Sequence, residues 1–288
     1  MSCHGPRQNR YAPARYTICP HHRKYIRNLG QYLEQEEPKT AELDFWGEWE
    51  PPSRVIRVQS PIPNGPRIIC EPYLDVPREF PRGEWLNTDP FVFGGSFLYT
   101  LCQQRRFKGT RETSLRRLRV GSIVLFGSCI GESFCLDTLL VVQRSIDHDR
   151  HHPPISGLDV LSDHFLTATI SPMYGRKISR DDLGKVIPLV KDNPRFRLYI
   201  GATFENQVDG MHSFFPCITS GSRPSGFARP RIQLPGVISD RKNQGYAIHQ
   251  QDSPTKLFAL WQCVKDQVVG QGLMLGVATD LPPMSCPA

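Results

Sequence analysis

The sequence predicts an α+β protein with a β-rich core, flanking helices and long loops. From Ala41 onward, short apolar runs alternate with Pro, Gly and Asn, the pattern of strands joined by turns. The clearest helix lies near the carboxy terminus. Ser253 stands as its N-cap and Pro254 in its first turn, Leu257, Phe258, Leu260, Trp261, Val264 and Val268 form one stripe, and Gly270 closes it. The connections at 60–90 and 219–245 hold too many breakers for long elements.

The chain has 288 residues, enough to bury a core as one large domain or two small ones. The expected division is a basic amino-terminal arm, 1–40, and a single α+β domain, 41–288, whose last part is a loop and helix at 221–288. Within the arm, 24–30 reads either as a short helix stopped by Gly30 or as an extended piece leading to Tyr32 and Leu33. Strands are expected at 43–50, 55–59, 67–70, 123–126, 134–143, 165–170 and 195–200. The aromatic, Gly-containing run 91–99 reads as a turn with close backbone contact. Leu115, Leu118 and Val120 lead into a turn at Gly121-Ser122.

No apolar run approaches the roughly 18–20 residues of a membrane span, and Met1–Arg7 lacks the apolar centre of a secretory signal. The expectation is a cytoplasmic protein with no membrane partner. The nine cysteines are odd in number and irregularly spaced, which argues for reduced thiols. A net charge of +7 favours polyanionic partners. Arginine carries much of it: Arg105, Arg106, Lys108, Arg116, Arg117 and Arg119 are candidate phosphate contacts, the competing reading being a solvated face.

The densest candidate site is Phe45-Trp46-Gly47-Glu48-Trp49-Glu50. In an extended chain Trp46, Glu48 and Glu50 share one face. An indole beside carboxylates suits a flat, polar ligand, the ring stacking and a carboxylate accepting paired N–H donors. Gly47 leaves room for close approach, and Trp49 is a second aromatic candidate. The alternative is a half-buried strand with core aromatics and solvated glutamates.

Ser128 and Cys129 follow an apolar strand, where a thiolate would attack an electrophilic carbon if a base or cation lowered its pKa. Glu48 or Glu50 is a candidate acid or base. Asp137, inside an apolar strand, must pair with something, and Arg54 or a ligand donor is the candidate. Ser213 and Phe214 belong to a second aromatic cluster. Cys19, His21 and His22 are the densest soft ligands, so zinc is the one cofactor considered, against an ordinary basic arm. The His-rich run 147–157 reads as a solvated loop, although imidazole and carboxylate both ligate zinc. No Walker loop, Rossmann fingerprint, Gly-x-Ser-x-Gly elbow or His-Glu-x-x-His is present.

The run Gly121-Ser-Ile-Val-Leu-Phe-Gly-Ser128 with Phe134-Cys-Leu-Asp-Thr-Leu-Leu-Val-Val142 resembles the paired strands of PUA-like barrels of the ASCH and EVE type. The resemblance covers about 41–220 loosely and implies a small barrel holding RNA or a modified DNA base in a cleft. Trp46-Gly-Glu-Trp-Glu-Pro-Pro-Ser53 with Ser213-Phe-Phe-Pro-Cys217 resembles proteins of bacterial and phage clusters that install 7-deazaguanine derivatives in DNA. That resemblance implies DNA and other proteins of such a cluster as partners. It also implies hydration of a 7-cyano group to an amide. The roles expected in that reaction are Cys129 as nucleophile, Glu48 or Glu50 for edge recognition or acid–base work, and Trp46 and Phe214 stacking on the base. A non-catalytic reader of modified bases and an enzyme acting on a free nucleotide are the alternatives.

Overall fold

The computed structural model of the chain describes residues 23–58, 63, 65–76, 88–106, 111–130, 133–153, 161–183, 185, 195–235, 237 and 253–285. The strands are β1 (Arg23–Glu34), β2 (Glu37–Glu48), β3 (Ser53–Val58), β4 (Ile68–Pro72), β5 (Leu98–Tyr99), β6 (Arg105–Arg106) and β7 (Arg111–Glu112). They continue with β8 (Ile123–Ile130), β9 (Ser133–His148), β10 (Phe196–Gly201), β11 (Phe215–Thr219), β12 (Arg231–Ile232) and β13 (Met274–Thr279). Short helical turns and the helix Pro254–Gly270 complete a β-rich fold with few helices.

The first sheet runs β13-β11-β2-β1-β4-β3, and β13 also pairs with β1. Hydrogen bonding therefore passes from β1 through β2, β11 and β13 back to β1, a closed ring with β4 and β3 beside it. The β1–β2 hairpin is in register from Arg23↔Glu48 to Glu34↔Glu37. Its turn residues, Gln35 and Glu36, have φ of 52° and 64°, as a two-residue turn matching the twist of the strands requires. The boundary expected at residue 40 is corrected, because it falls inside β2. Residues 24–30 are extended, and β1 lies between β2 and β4.

The second sheet runs β12-β9-β10-β5, with β8 also on β9. β9 is the long member: its first half pairs with β8 (Ile130↔Ser133 to Ile123↔Val141) and its second half with β10 (Gly201↔Val142 to Phe196↔His148). The first half also meets the first sheet through the Leu139–Phe214 bridge.

The strand expected at 165–170 is instead helical, Asp163–Phe165 passing into a wider turn at Leu166–Ile170 and then Ser171–Tyr174. Ser162 Oγ accepts from the Phe165 N–H at 3.1 Å. Buried on every side, the segment has the same apolar pattern a core strand would have, and only the cap distinguishes them. The carboxy-terminal helix lies where expected, with Trp261, Val264 and Val268 buried. Phe258, placed on the same stripe, is instead 40% exposed. Among the described residues no helix is long and apolar enough to cross a membrane.

Two clusters form the core. One gathers Ile26, Phe45, Trp49, Phe91, Phe93, Phe97 and the helical turns; the other lies under the carboxy-terminal helix. Gly276 shows how tightly the ring closes, since a Cβ there would come 2.1 Å from the Phe215 ring. At Gly30 a Cβ would meet the Ala278 carbonyl oxygen at 2.5 Å. Gly276→Ala should therefore lower the unfolding free energy by about 1–3 kcal/mol in a denaturant titration. Gly270→Ala, with nothing within 4 Å, should leave it unchanged or slightly raised; equal effects of the two would contradict this packing.

Candidate functional site at the junction of the sheets

Where the first half of β9 approaches the ring, charged side chains meet across the seam. Asp137 projects from β9 and Ser128 from β8; Arg23 opens β1, Glu48 closes β2, and Arg229 comes from the segment before β12. Arg229 Nε and Nη2 donate to the two Asp137 oxygens at 2.6 Å each, and Nη1 donates to Ser128 Oγ at 2.6 Å. Its Nη2 also reaches the Cys135 carbonyl at 3.4 Å. From the other side Arg23 Nε lies 2.8 Å from Asp137, and Arg23 Nη1 donates to Glu48.

The side chains of Asp137, Glu48 and Arg229 are 2%, 8% and 8% exposed, while that of Arg23 is 22% exposed. Two guanidinium groups thus balance two carboxylates, and the lattice reaches solvent at Arg23. Such a pairing is required of a carboxylate in an apolar strand, because an unpaired buried charge costs several kcal/mol.

Trp46 stands two residues before Glu48 on the same face of β2. Its indole N–H donates to the Phe227 carbonyl at 2.9 Å, and its ring meets Tyr25 edge-on at 5.2 Å. The ring is half-buried. The indole is therefore held at one orientation beside the charged lattice, with part of its surface uncovered.

Of the residues singled out from the sequence, Trp46, Glu48, Ser128 and Asp137 come together here. Cys129 is half-buried next to Ser128, opposite Phe134 in the β8–β9 hairpin. Arg23 and Arg229, which join these residues, were missed. The signal that could have found them was Asp137 itself, since the demand for a partner was legible and only its identity was not.

The other candidates lie elsewhere. β2 ends at Glu48, so the alternation that would put Glu50 on the face of Trp46 and Glu48 does not extend to it. Glu50 is buried, with its N–H directed at Thr88 Oγ1 at 3.4 Å. Nearby Asp89 accepts from the backbone of Thr100, Leu101 and Cys102. Burial pushes the Asp89 carboxyl up to about 6 against those hydrogen bonds, and the Glu50 charge adds to the rise.

Trp49 is fully buried against Phe91 and Phe93, with its N–H on the Pro52 carbonyl; it is a core residue, not a ligand platform. The space at Gly47 is taken by Phe45 and Ile26, 3.1 and 3.2 Å from where a Cβ would stand. Arg54 pairs with Glu71, across β3 and β4, and not with Asp137. Ser213 Oγ accepts from the Val141 N–H at 3.0 Å. Phe214 is fully buried beneath the carboxy-terminal helix, so as placed it offers a ligand no stacking face.

Arg105, Arg116, Arg117 and Arg119 lie toward the far end of β9. Arg106 is in β6, and nothing is described of its side chain. Lys108, Cys19, His21 and His22 lie outside the described residues, among which no group of three or more metal-ligating side chains forms. The run 147–157 departs from a solvated loop where it is described, since His148 and His151 are buried. His148 bridges Thr100 Oγ1 at 2.6 Å and Tyr174 OH at 2.8 Å, and burial lowers its pKa to about 3. Cys135 and Cys217 are both raised by burial, away from thiolate character.

Comparison of the chain with protein-family models, with curated proteins and with solved structures finds no match.

His212, beside Ser213, is 1% exposed, and neither ring nitrogen has a hydrogen-bond partner among the described residues. It is edge-on to Phe204 and Trp261, with ring centroids 5.4 and 5.0 Å away. Burial, then the Lys265 charge, lowers its pKa to about 4, against Glu36 and Glu205. In the unfolded chain this imidazole takes a proton below about 6.5, whereas in the fold it stays neutral down to about 4. Its contribution to stability is complete above the unfolded value and is lost as pH falls from there toward the folded one. His148 acts in the same sense and Asp89, whose pKa is raised, in the opposite one, so the test is a difference. Between pH 7.5 and 5, the wild type should lose about 2 kcal/mol more unfolding free energy than His212→Phe; parallel profiles would show that His212 is not held neutral.

Proposed function

We propose that this chain binds nucleic acid and reads a flat purine-like base at the junction of the sheets, acting as a reader rather than as an enzyme. The observation that carries this reading is the part-open indole of Trp46, fixed on the Phe227 carbonyl beside the Arg23–Glu48–Asp137–Arg229 lattice. An indole supplies a stacking face to any base, worth about 1–3 kcal/mol. Arg23, the most exposed member of the lattice, gives two of its five N–H donors to Asp137 and Glu48, and the donors left on Nη1 and Nη2 match the paired acceptors of a guanine-like edge. This replaces Glu48 as the edge reader, because Glu48 is already engaged by Arg23.

The finer fold reading, a PUA-like barrel, is supported by the closed ring of strands and by a site at its junction with the β8–β9 pair. The resemblance to proteins of 7-deazaguanine clusters makes a 7-deazaguanine in DNA the base to test first. Hydration of a nitrile is less well supported. It calls for an activated nucleophile or a carboxylate free to move a proton, while Glu48 and Asp137 both accept from arginine.

DNA oligonucleotides carrying 7-cyano-7-deazaguanine or guanine at one position provide the test. The wild type should bind the modified strand more tightly and leave its mass unchanged. Trp46→Ala should weaken binding about ten-fold or more, and Trp46→Leu, which keeps more of the packing, should do the same. Equal binding by both variants and the wild type would overturn the reading, and a mass gain of one water would establish the hydrating enzyme instead.

A further inference from the structure

The arginines of 105–119 do not line the Trp46 junction. Asp137, at the junction, and Asp147, at their centre, are ten residues apart on β9, on the order of 30 Å along an extended strand. Around Asp147 the fold assembles a second charged surface. Arg197 on β10 lies opposite Asp147 and donates to it through Nε and Nη2 at 2.8 Å each. Arg116 reaches the same carboxylate at 3.1 Å and also engages Glu112. Arg105 lies 3.3 Å from Glu112 and donates to the Arg195 carbonyl at 3.0 Å.

The helical turn Ser114–Arg117 is held over this face by Tyr199. The Tyr199 hydroxyl donates to the Leu115 carbonyl at 2.7 Å and accepts from the Leu118 N–H at 3.1 Å. The turn carrying Arg117, with Arg119 just after it, is thereby docked at Tyr199 on β10, the strand that carries Arg197, and Arg195 immediately precedes that strand.

The two acids divide these arginines into two sets. Arg105, Arg116 and Arg197 are immobilised in a guanidinium–carboxylate lattice, which the burial of Arg116, 8% exposed, reinforces. Arg117, Arg119 and Arg195 are exposed and make no ion pair among the described residues. Six arginines against Glu112 and Asp147 leave a surplus of four positive charges, with Asp209, near Gly121, at the edge. A surplus this concentrated, with three guanidinium groups free to turn outward, matches closely spaced phosphates.

We propose that this face anchors the sugar–phosphate backbone of a nucleic acid at a second place, distinct from the base site. Arg117, Arg119 and Arg195 make the phosphate contacts, and the fixed lattice supplies the standing positive field. The inference rests on the nucleic-acid reading above and sharpens it. At the duplex rise of 3.4 Å per nucleotide one strand must span roughly nine nucleotides to engage both places, and an extended single strand fewer.

Fluorescence anisotropy with labelled single strands of about 3 and about 20 nucleotides tests this over a salt series. The triple variant Arg117→Glu, Arg119→Glu, Arg195→Glu should bind the long strand at least ten-fold more weakly. Its slope of log K against log salt should be shallower by about two, near 0.7 for each single-strand phosphate that is no longer neutralised. The short strand should be weakened less. The milder triple alanine variant, checked by circular dichroism, should show the same order of effects. Wild-type affinity and slope in both variants would overturn the proposal, as would wild-type binding to anionic lipid vesicles but to no oligonucleotide. Failure of the base site shows differently: Trp46→Ala would then bind both strands like the wild type, while salt-dependent binding still fell in the arginine variants.

Discussion

Asp137 is a carboxylate in the middle of an apolar strand, and the junction of the two sheets depends on how that charge is met. Arg229 meets it with two parallel N–H donors, and Arg23 adds a third. Each partner comes from a different part of the chain, so pairing the charge also brings the start of β1 and the segment before β12 against β9. A buried carboxylate is a weak source of net stability but a strict condition on geometry. Here the condition joins the ring of β1, β2, β11 and β13 to the β8–β9 pair, and it places Trp46 beside a lattice that opens at Arg23.

β9 connects the two charged centres of the molecule. Its first half carries the balanced network at Asp137, next to an indole; its second half carries the arginine-rich surface at Asp147. The first centre is neutral and partly enclosed, suited to discriminating a flat group. The second has surplus charge and an open face, suited to holding a repeating anion without regard to sequence. A division between a base site and a backbone anchor follows from these electrostatics.

Much of the fold was legible because period-two patterns and breakers mark strands directly. Segments 43–50, 123–126, 134–143 and 195–200 all fall mainly within strands, and Ser253-Pro254 marks the helix start. What was not legible depended on distant contacts. Residues 23–40 are polar and looked like an arm, yet their polar side chains are spent on pairs such as Arg27 with Asp44, which no local pattern reveals. Residues 165–170 are buried throughout, and Thr167 and Thr169 alternate with apolar neighbours as they would in a core strand. In the site, Trp46, Glu48 and Asp137 stood out by composition. Trp49 stood out equally and is core, packed against Phe91 and Phe93 just past the end of β2. Arg229 lies in a Ser-, Gly- and Pro-rich stretch with nothing local to mark it.

A double-mutant cycle on Arg229 and Asp137 tests the central claim most directly, with unfolding free energies measured for Arg229→Met, Asp137→Leu and the pair. If the junction is built on their contact, each single change should be strongly destabilising, and the double change should recover about 2 kcal/mol or more relative to the sum. Additivity within about 0.5 kcal/mol would mean that the two side chains do not share the buried contact described, and the account of the junction would fail.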